Sequence, residues 1–181
     1  MVRMKKKNII WDTTESKIIY DPSSNIAYKT LKTKEINEQW IAMYKEFQKT
    51  APVVKIIDMI DSNTYTMEYI PNIIATVDSL TRHWAKEHNF IRTKNNFINL
   101  HNCITESWQC AMHISKGLKQ EMFWANEDLK LANIVVIKDK HDKITFKLID
   151  ADSWQIRYGY QSVDTFYQSQ LKIALVMQRF I

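Results

Sequence analysis

Asn126-Glu127-Asp128-Leu129-Lys130-Leu131-Ala132-Asn133, followed at once by the apolar run Ile134-Val135-Val136-Ile137, is the stretch on which the reading of this chain turns. Past a charged turn, Lys138–Lys143, a second apolar run from Ile144 to Ile149 leads into Asp150-Ala151-Asp152. Two β-branched runs over a polar turn predict a hairpin. Its ends gather the acids Asp128, Asp150 and Asp152 and the amide Asn133. Carboxylates and a carboxamide converging at strand ends are hard oxygen donors, the kind a divalent cation takes.

Upstream of this hairpin the pattern is helical. Phe97–Leu118 reads as a helix ending near Gly117, a residue suited to a helix C-terminus. Ile73–His88 reads as another, preceded by a break at Ile70-Pro71-Asn72. Before the break the chain is strand-rich. Asn8–Trp11, Lys17–Tyr20 and Asn25–Leu31 are β-branched or aromatic runs, separated by Asp12–Ser16 and Asp21–Ser24, both good turn chemistry. A helix over 34–49 follows, with Ile36, Trp40, Met43, Tyr44 and Phe47 on one face. Val53–Ile60 and Tyr65–Tyr69 complete a set of five strands. Trp124–Leu131 reads as irregular, and a last helix is predicted from about Ser162 to Arg179. The break near residue 70 divides a strand-rich unit, 1–70, from a helix-rich one, 71–181.

Composition narrows the classes. With 45% hydrophobic and 25% charged residues over 181 positions, the chain is globular rather than disordered, collagenous or coiled-coil. Only 2 glycines and 3 prolines leave no room for a glycine-rich phosphate loop. No apolar run approaches the roughly 20 residues a membrane helix needs. Cys103 and Cys110 share one predicted helix, so free thiols and a cytoplasmic protein are expected. The net charge of +5 is spread along the chain, and Lys5-Lys6-Lys7 reads as a solvated tail; no specific nucleic-acid partner is expected. The five histidines have no metal-ligand spacing. The abundance of Ile, Lys and Asn suits an AT-rich genome such as that of a phage or other virus, in which case the host cytoplasm is the compartment.

Taken in order, these motifs resemble the protein-kinase-like superfamily. Asn-Glu-Asp-Leu-Lys-Leu-Ala-Asn over 126–133 is similar to that family's catalytic loop, H-R-D-L-K-x-x-N. Asp150-Ala151-Asp152 resembles its metal-binding D-F-G, or more closely the D-x-D of the aminoglycoside- and choline-kinase branch. Ala27-Tyr28-Lys29 looks like the third-strand lysine motif, with Glu38 on the helix that pairs with it. Met67-Glu68-Tyr69-Ile70 looks like the hinge, and Ser162-Val163-Asp164 like the start of a helix that braces the loop. The resemblance implies an α+β, bilobal fold: a five-stranded antiparallel sheet with one helix, then a reduced, mainly helical lobe carrying the loop 126–133 and the hairpin 133–152. It implies an ATP-dependent kinase using Mg²⁺ or Mn²⁺. Lys29 would hold phosphates, with Glu38 fixing its ammonium. Asp128 would orient the acceptor hydroxyl or take its proton, and Lys130 would stabilise the moving phosphoryl group. Asn133, Asp150 and Asp152 would hold the metal. The backbone at Glu68, Tyr69 and Ile70 would meet adenine.

The departures matter equally. The first turn, Asp12–Ser16, offers carboxylates where the family has glycines, which weakens phosphate binding. Asn126 and Glu127 stand where the family has histidine and arginine, so loop phosphorylation has no basic reader. About fourteen residues separate Asp150 from Asp164, too few for a peptide-docking segment. Lys130 favours a protein serine or threonine as acceptor, while the short segment and the D-x-D favour a small molecule. A pseudokinase that grips a partner is the third reading. A protein substrate or partner is expected, and the apolar face of the last helix is left for a second copy of the chain.

Overall fold

A computed structural model describes residues 8–81, 91, 93–119, 121–126 and 128–159. The expected last helix, with Asp164 and the dimer contact assigned to it, lies outside the described residues, as do Glu127 and the later part of the helix expected over Ile73–His88.

The chain is α+β. Strands β1 (Asn8–Asp12), β2 (Ser16–Asp21) and β3 (Ile26–Leu31) are followed by helix α1 (Glu38–Phe47), then β4 (Ile56–Met59) and β5 (Thr64–Glu68). They form one antiparallel five-stranded sheet in the order β1-β2-β3-β5-β4. The turns supply their own hydrogen bonds: the Asp21 carboxylate accepts from the Ser23 amide, and Asn25 takes the left-handed φ of 57° that leads into β3. Such a φ is tolerated by asparagine better than by most side chains.

Helix α1 starts where Asn37 caps it, its side chain accepting from the Trp40 amide at 2.8 Å. Its buried stripe, Trp40, Tyr44 and Phe47, is the aromatic face expected from the spacing. At its end the Gln48 amide bonds both backbone groups of Ile56, which fastens the helix to β4.

Beyond residue 70 strand takes a larger share than expected. Ile73–Thr76 is a strand, β6, not the start of a helix; helix α2 begins only at Val77 and runs to Thr81. The reason is an available edge: β6 pairs with β8 (Ile134–Lys138), which also pairs with β9 (Ile144–Leu148), giving the order β6-β8-β9. The predicted hairpin is therefore present, with a third strand beside it. The stretch expected to be irregular also begins as a strand, β7 (Met122–Asn126), paired in full register with β10 (Trp154–Tyr158). The partners lie about thirty residues apart, so no local turn signal announces them. Helix α3 (Lys94–Ser115), capped by Thr93, matches the predicted helix closely.

One hydrophobic core runs through all of this. The Phe47 ring lies 4.3 Å from that of Trp154, and Trp124 meets both Tyr44 and Phe47 edge-on. Trp40 donates its indole N–H to the Trp154 carbonyl at 2.7 Å, joining α1 to β10. Val53 and Val54, expected as the start of a strand, instead bond the end of β9: the Val54 amide donates to the Leu148 carbonyl at 2.7 Å. Cys103 and Cys110 are free thiols on α3, and burial pushes the Cys103 thiol up to about 12. Among the described residues no helix is long and apolar enough to cross a membrane.

Phe47→Ala is expected to cost about 3–5 kcal/mol of unfolding free energy in urea denaturation. Ile57→Ala, at a position 46% exposed on β4, is expected to change it by less than about 0.5 kcal/mol. Equal effects would show that the aromatic cluster is not the stabilising core.

Candidate functional site

Strand β3 alternates, with Ala27, Lys29 and Leu31 on the buried face. A lysine in the apolar phase of a strand must find charge partners, because a lone buried ammonium is costly. Lys29 is only 6% exposed, and its Nζ donates to Asp150 Oδ1 at 2.8 Å and to Asp152 Oδ1. Both acids come from the far end of β9 and the short 3-10 turn Ala151–Ser153 that follows it. Two segments about 120 positions apart in the chain thus meet at one charge cluster.

Asp152, 7% exposed, carries further donors. Tyr65 O–H donates to its Oδ1 at 3.0 Å, and Tyr65 is the residue directly opposite Lys29 in the β3–β5 register. Lys34 lies 3.0 Å from Oδ2 and also donates to the Asp152 carbonyl at 2.6 Å. Burial by itself would raise the Asp152 carboxyl, but the Lys29 and Lys34 ammonium groups hold it well below the usual carboxylate range. Burial would lower Lys29, and the charges of Asp152 and Asp150 overcome that and raise it. Tyr65 is pushed well above its usual value by burial and then by the Asp152 charge.

Asp150 is the more open acid. Its Oδ2 accepts from the Ser153 hydroxyl and, at 3.4 Å, from Asn133 Nδ2. Asn133 also donates to the Asp128 carbonyl at 3.0 Å, and its own carbonyl accepts from the Ile149 amide. The loop from Asn126 to Asn133 is therefore stitched to the end of β9. Buried Asn126 shapes its start by accepting from the Asp128 amide at 2.8 Å. Asp128 and Lys130 form an ion pair at 2.6 Å near the surface. The hydrogen bond it donates to Asp128 raises Lys130, and Glu15 on the β1–β2 turn adds to the field it feels.

The expected site residues thus divide into two groups. Lys29, Asp128, Lys130, Asn133, Asp150 and Asp152 come together. Glu38 does not join them: it is exposed in the first turn of α1, and among the described residues no ion pair involves it. Lys29 takes Asp152 instead, because Asp152 approaches from beneath the sheet while the buried face of α1 presents aromatic rings. Glu68 has another partner as well. Its carboxylate accepts from Lys147 Nζ at 2.6 Å and from the Lys55 amide, and its own amide donates to the Lys55 carbonyl. Its backbone N–H is therefore already committed rather than open to an adenine edge. Tyr69 stacks on Tyr20 with ring centroids 3.9 Å apart, and Ile70 packs on the core. Lys34, Tyr65 and Ser153 were not singled out from the sequence. Tyr65 lies in a predicted strand, but only the β3–β5 register places it opposite Lys29.

Asp150 and Asn133 are the residues that could hold a divalent cation, although Asn133 turns its Nδ2 rather than its oxygen toward Asp150. Asp150 Oδ2 has only neutral donors, and the Asn133 amide carries a carbonyl oxygen beside its NH₂. Among the described residues no cluster of three or more His, Cys, Asp or Glu side chains is arranged to hold a metal. Water and phosphate oxygens would complete such a site, as is usual for Mg²⁺. Neither models of known protein families nor curated protein sequences match this chain.

Because the Asp152 carboxyl titrates lower in the folded protein than its ordinary 3.8, its stabilisation is complete above that value and is lost as pH falls towards the folded one. The unfolding free-energy difference between wild type and Asp152→Asn, from urea titrations, is expected to be constant between about pH 5 and 7 and to shrink below about pH 4. A difference that stays constant into strong acid would remove Asp152 from the ion-pair cluster.

Proposed function

We propose that this chain is a protein-kinase-like phosphotransferase, with a bilobal arrangement divided near residue 70, that moves the γ-phosphoryl group of ATP to a hydroxyl. The observation that carries the reading is the bond from buried Lys29 on β3 to Asp150 at 2.8 Å, with Asn133 at 3.4 Å from the other Asp150 oxygen. A purely structural core would be at least as stable with apolar residues at these positions. A lysine, a hard-oxygen acid and an amide brought together from three elements are what polyphosphate and its metal require.

Bound Mg²⁺ and nucleotide would supply the transferable group and neutralise its charge. The residues of the chain do the rest. Asp150 would hold the cation with the Asn133 amide beside it, and Lys29 would offer a buried ammonium to the phosphates. Asp128 orients the acceptor hydroxyl and receives its proton, while Lys130, paired to Asp128 at 2.6 Å, follows the charge that builds on the transferred group. The position of Lys130, two residues after Asp128 in a loop that resembles that of protein serine/threonine kinases, favours a serine or threonine hydroxyl of a protein as acceptor.

A second reading, a pseudokinase acting as a binding module, is favoured by the β1–β2 turn. There Asp12 is occupied by Lys32 at 2.5 Å and Thr13 bonds Ser16, so the turn satisfies itself rather than presenting open amides to phosphate. Thermal unfolding separates the two. A nucleotide site of tens-of-micromolar affinity is expected to add about 1.5–2.5 kcal/mol at millimolar ATP and Mg²⁺, several degrees in Tm. The metal-dependent part is expected to vanish in Asp150→Ala. No shift in wild type overturns the phosphotransferase reading and leaves the binding module.

A further inference from the structure

We infer that Asp152 is the positioning residue for Lys29, in place of any acid on α1, and that it is not a metal ligand; this rests on the phosphotransferase reading above. Two acids touch the Lys29 ammonium, and they differ in what else they hold. Both Asp152 oxygens are engaged by cations, Lys29 on Oδ1 and Lys34 at 3.0 Å on Oδ2, and Tyr65 adds a hydroxyl to Oδ1 at 3.0 Å. The Asp152 side chain is 9% exposed. A cation there would have to displace a buried ammonium and lie against the other. Asp150 is 23% exposed, and its second oxygen meets only the neutral donors of Ser153 and Asn133. The cation therefore belongs to Asp150 and Asn133.

This division solves a problem of charge. Asp150 can keep Lys29 on Oδ1 while Oδ2 turns to a cation, but its one negative charge is then shared between two positive groups. When Asp150 turns to the cation, Asp152 still holds the ammonium, itself braced by Lys34 and Tyr65. The anchor of the lysine and the metal carboxylate then stand two positions apart on the 3-10 turn Ala151–Ser153 and its preceding residue. Glu38, exposed at the start of α1, has no part in it.

The test is a titration of wild type, Asp152→Asn, Asp152→Glu, Asp150→Asn and Glu38→Gln with a fluorescent ATP analogue, at several Mg²⁺ concentrations. Asp152→Asn is expected to weaken nucleotide binding about tenfold or more while leaving its dependence on Mg²⁺ concentration as in wild type. Asp152→Glu should restore part of the loss, Asp150→Asn should remove the Mg²⁺ dependence, and Glu38→Gln should bind as wild type does. If Asp152→Asn shifts the Mg²⁺ dependence as Asp150→Asn does, or if Glu38→Gln carries the loss instead, the inference is overturned. Should Asp152→Asn fail to fold, Lys34→Met and Tyr65→Phe loosen the same carboxylate without removing it and are expected to weaken binding in the same metal-independent way. The ¹⁵N signal of the Lys29 ammonium gives a readout that needs no nucleotide. It is expected to be protected from solvent exchange in wild type, Glu38→Gln and Asp150→Asn, and to lose more of that protection in Asp152→Asn than in Asp150→Asn. Wild type that binds no nucleotide but keeps this pattern overturns the phosphotransferase reading alone; protection in Asp152→Asn equal to or above that in Asp150→Asn overturns the inference whatever the nucleotide does.

Discussion

A lysine buried among apolar neighbours is a demand that the rest of the chain must meet. Lys29 sits between Ala27 and Leu31 on the inner face of β3, where an unpaired ammonium would not be tolerated. Its partners come from beyond β9, so the sheet cannot close correctly unless the segment over 150–152 is docked beneath it. Docking in turn needs β9 in place, and β9 is held by β8 and by the backbone bonds of Pro52 and Val54 to Leu148. Formation of one ion-pair cluster is thereby coupled to the assembly of the five-stranded sheet and of the β6-β8-β9 sheet.

Such a cluster is a weak source of stability for its size. Two ammonium groups and two carboxylates balance in charge, but each is taken from water to reach that balance. What it gives is orientation: the carboxylates are held at fixed positions, each with its own set of donors. Proteins retain arrangements of this kind where a charge has to be presented in one place, and less often where the core merely has to be full.

The local elements were legible in the sequence because their signals are local. The alternation of Ala27, Lys29 and Leu31, the aromatic stripe of α1, the long helix α3 and the hairpin over Lys138–Lys143 all follow from spacing and turn chemistry. What escaped was pairing between distant segments. Ile73–Thr76 looks like the beginning of a helix until β8 offers it an edge, and Met122–Asn126 looks irregular until Trp154–Tyr158 lies beside it. The site divided in the same way. Asp128, Asn133, Asp150 and Lys29 stood out by residue type and order, whereas the partner of Lys29 did not. Glu38 lies at the spacing expected of an acid on the neighbouring helix. Whether it faces the lysine depends on how α1 rolls, and the burial of Trp40, Tyr44 and Phe47 decides that roll against it. Lys34 falls at the start of the helix expected over 34–49, but the helix begins only at Glu38, which leaves Lys34 on the loop before it.

The bond from the Trp40 indole to the Trp154 carbonyl has a further consequence for how the protein breathes. It lies inside the aromatic cluster, so it cannot open while Phe47, Trp124 and Trp154 remain packed. Helix α1 and strand β10, distant in the chain, therefore belong to one cooperative opening unit. The amides beside Trp40 and Trp154 are then expected to exchange only when the aromatic cluster melts, rather than by fraying of either element from its end.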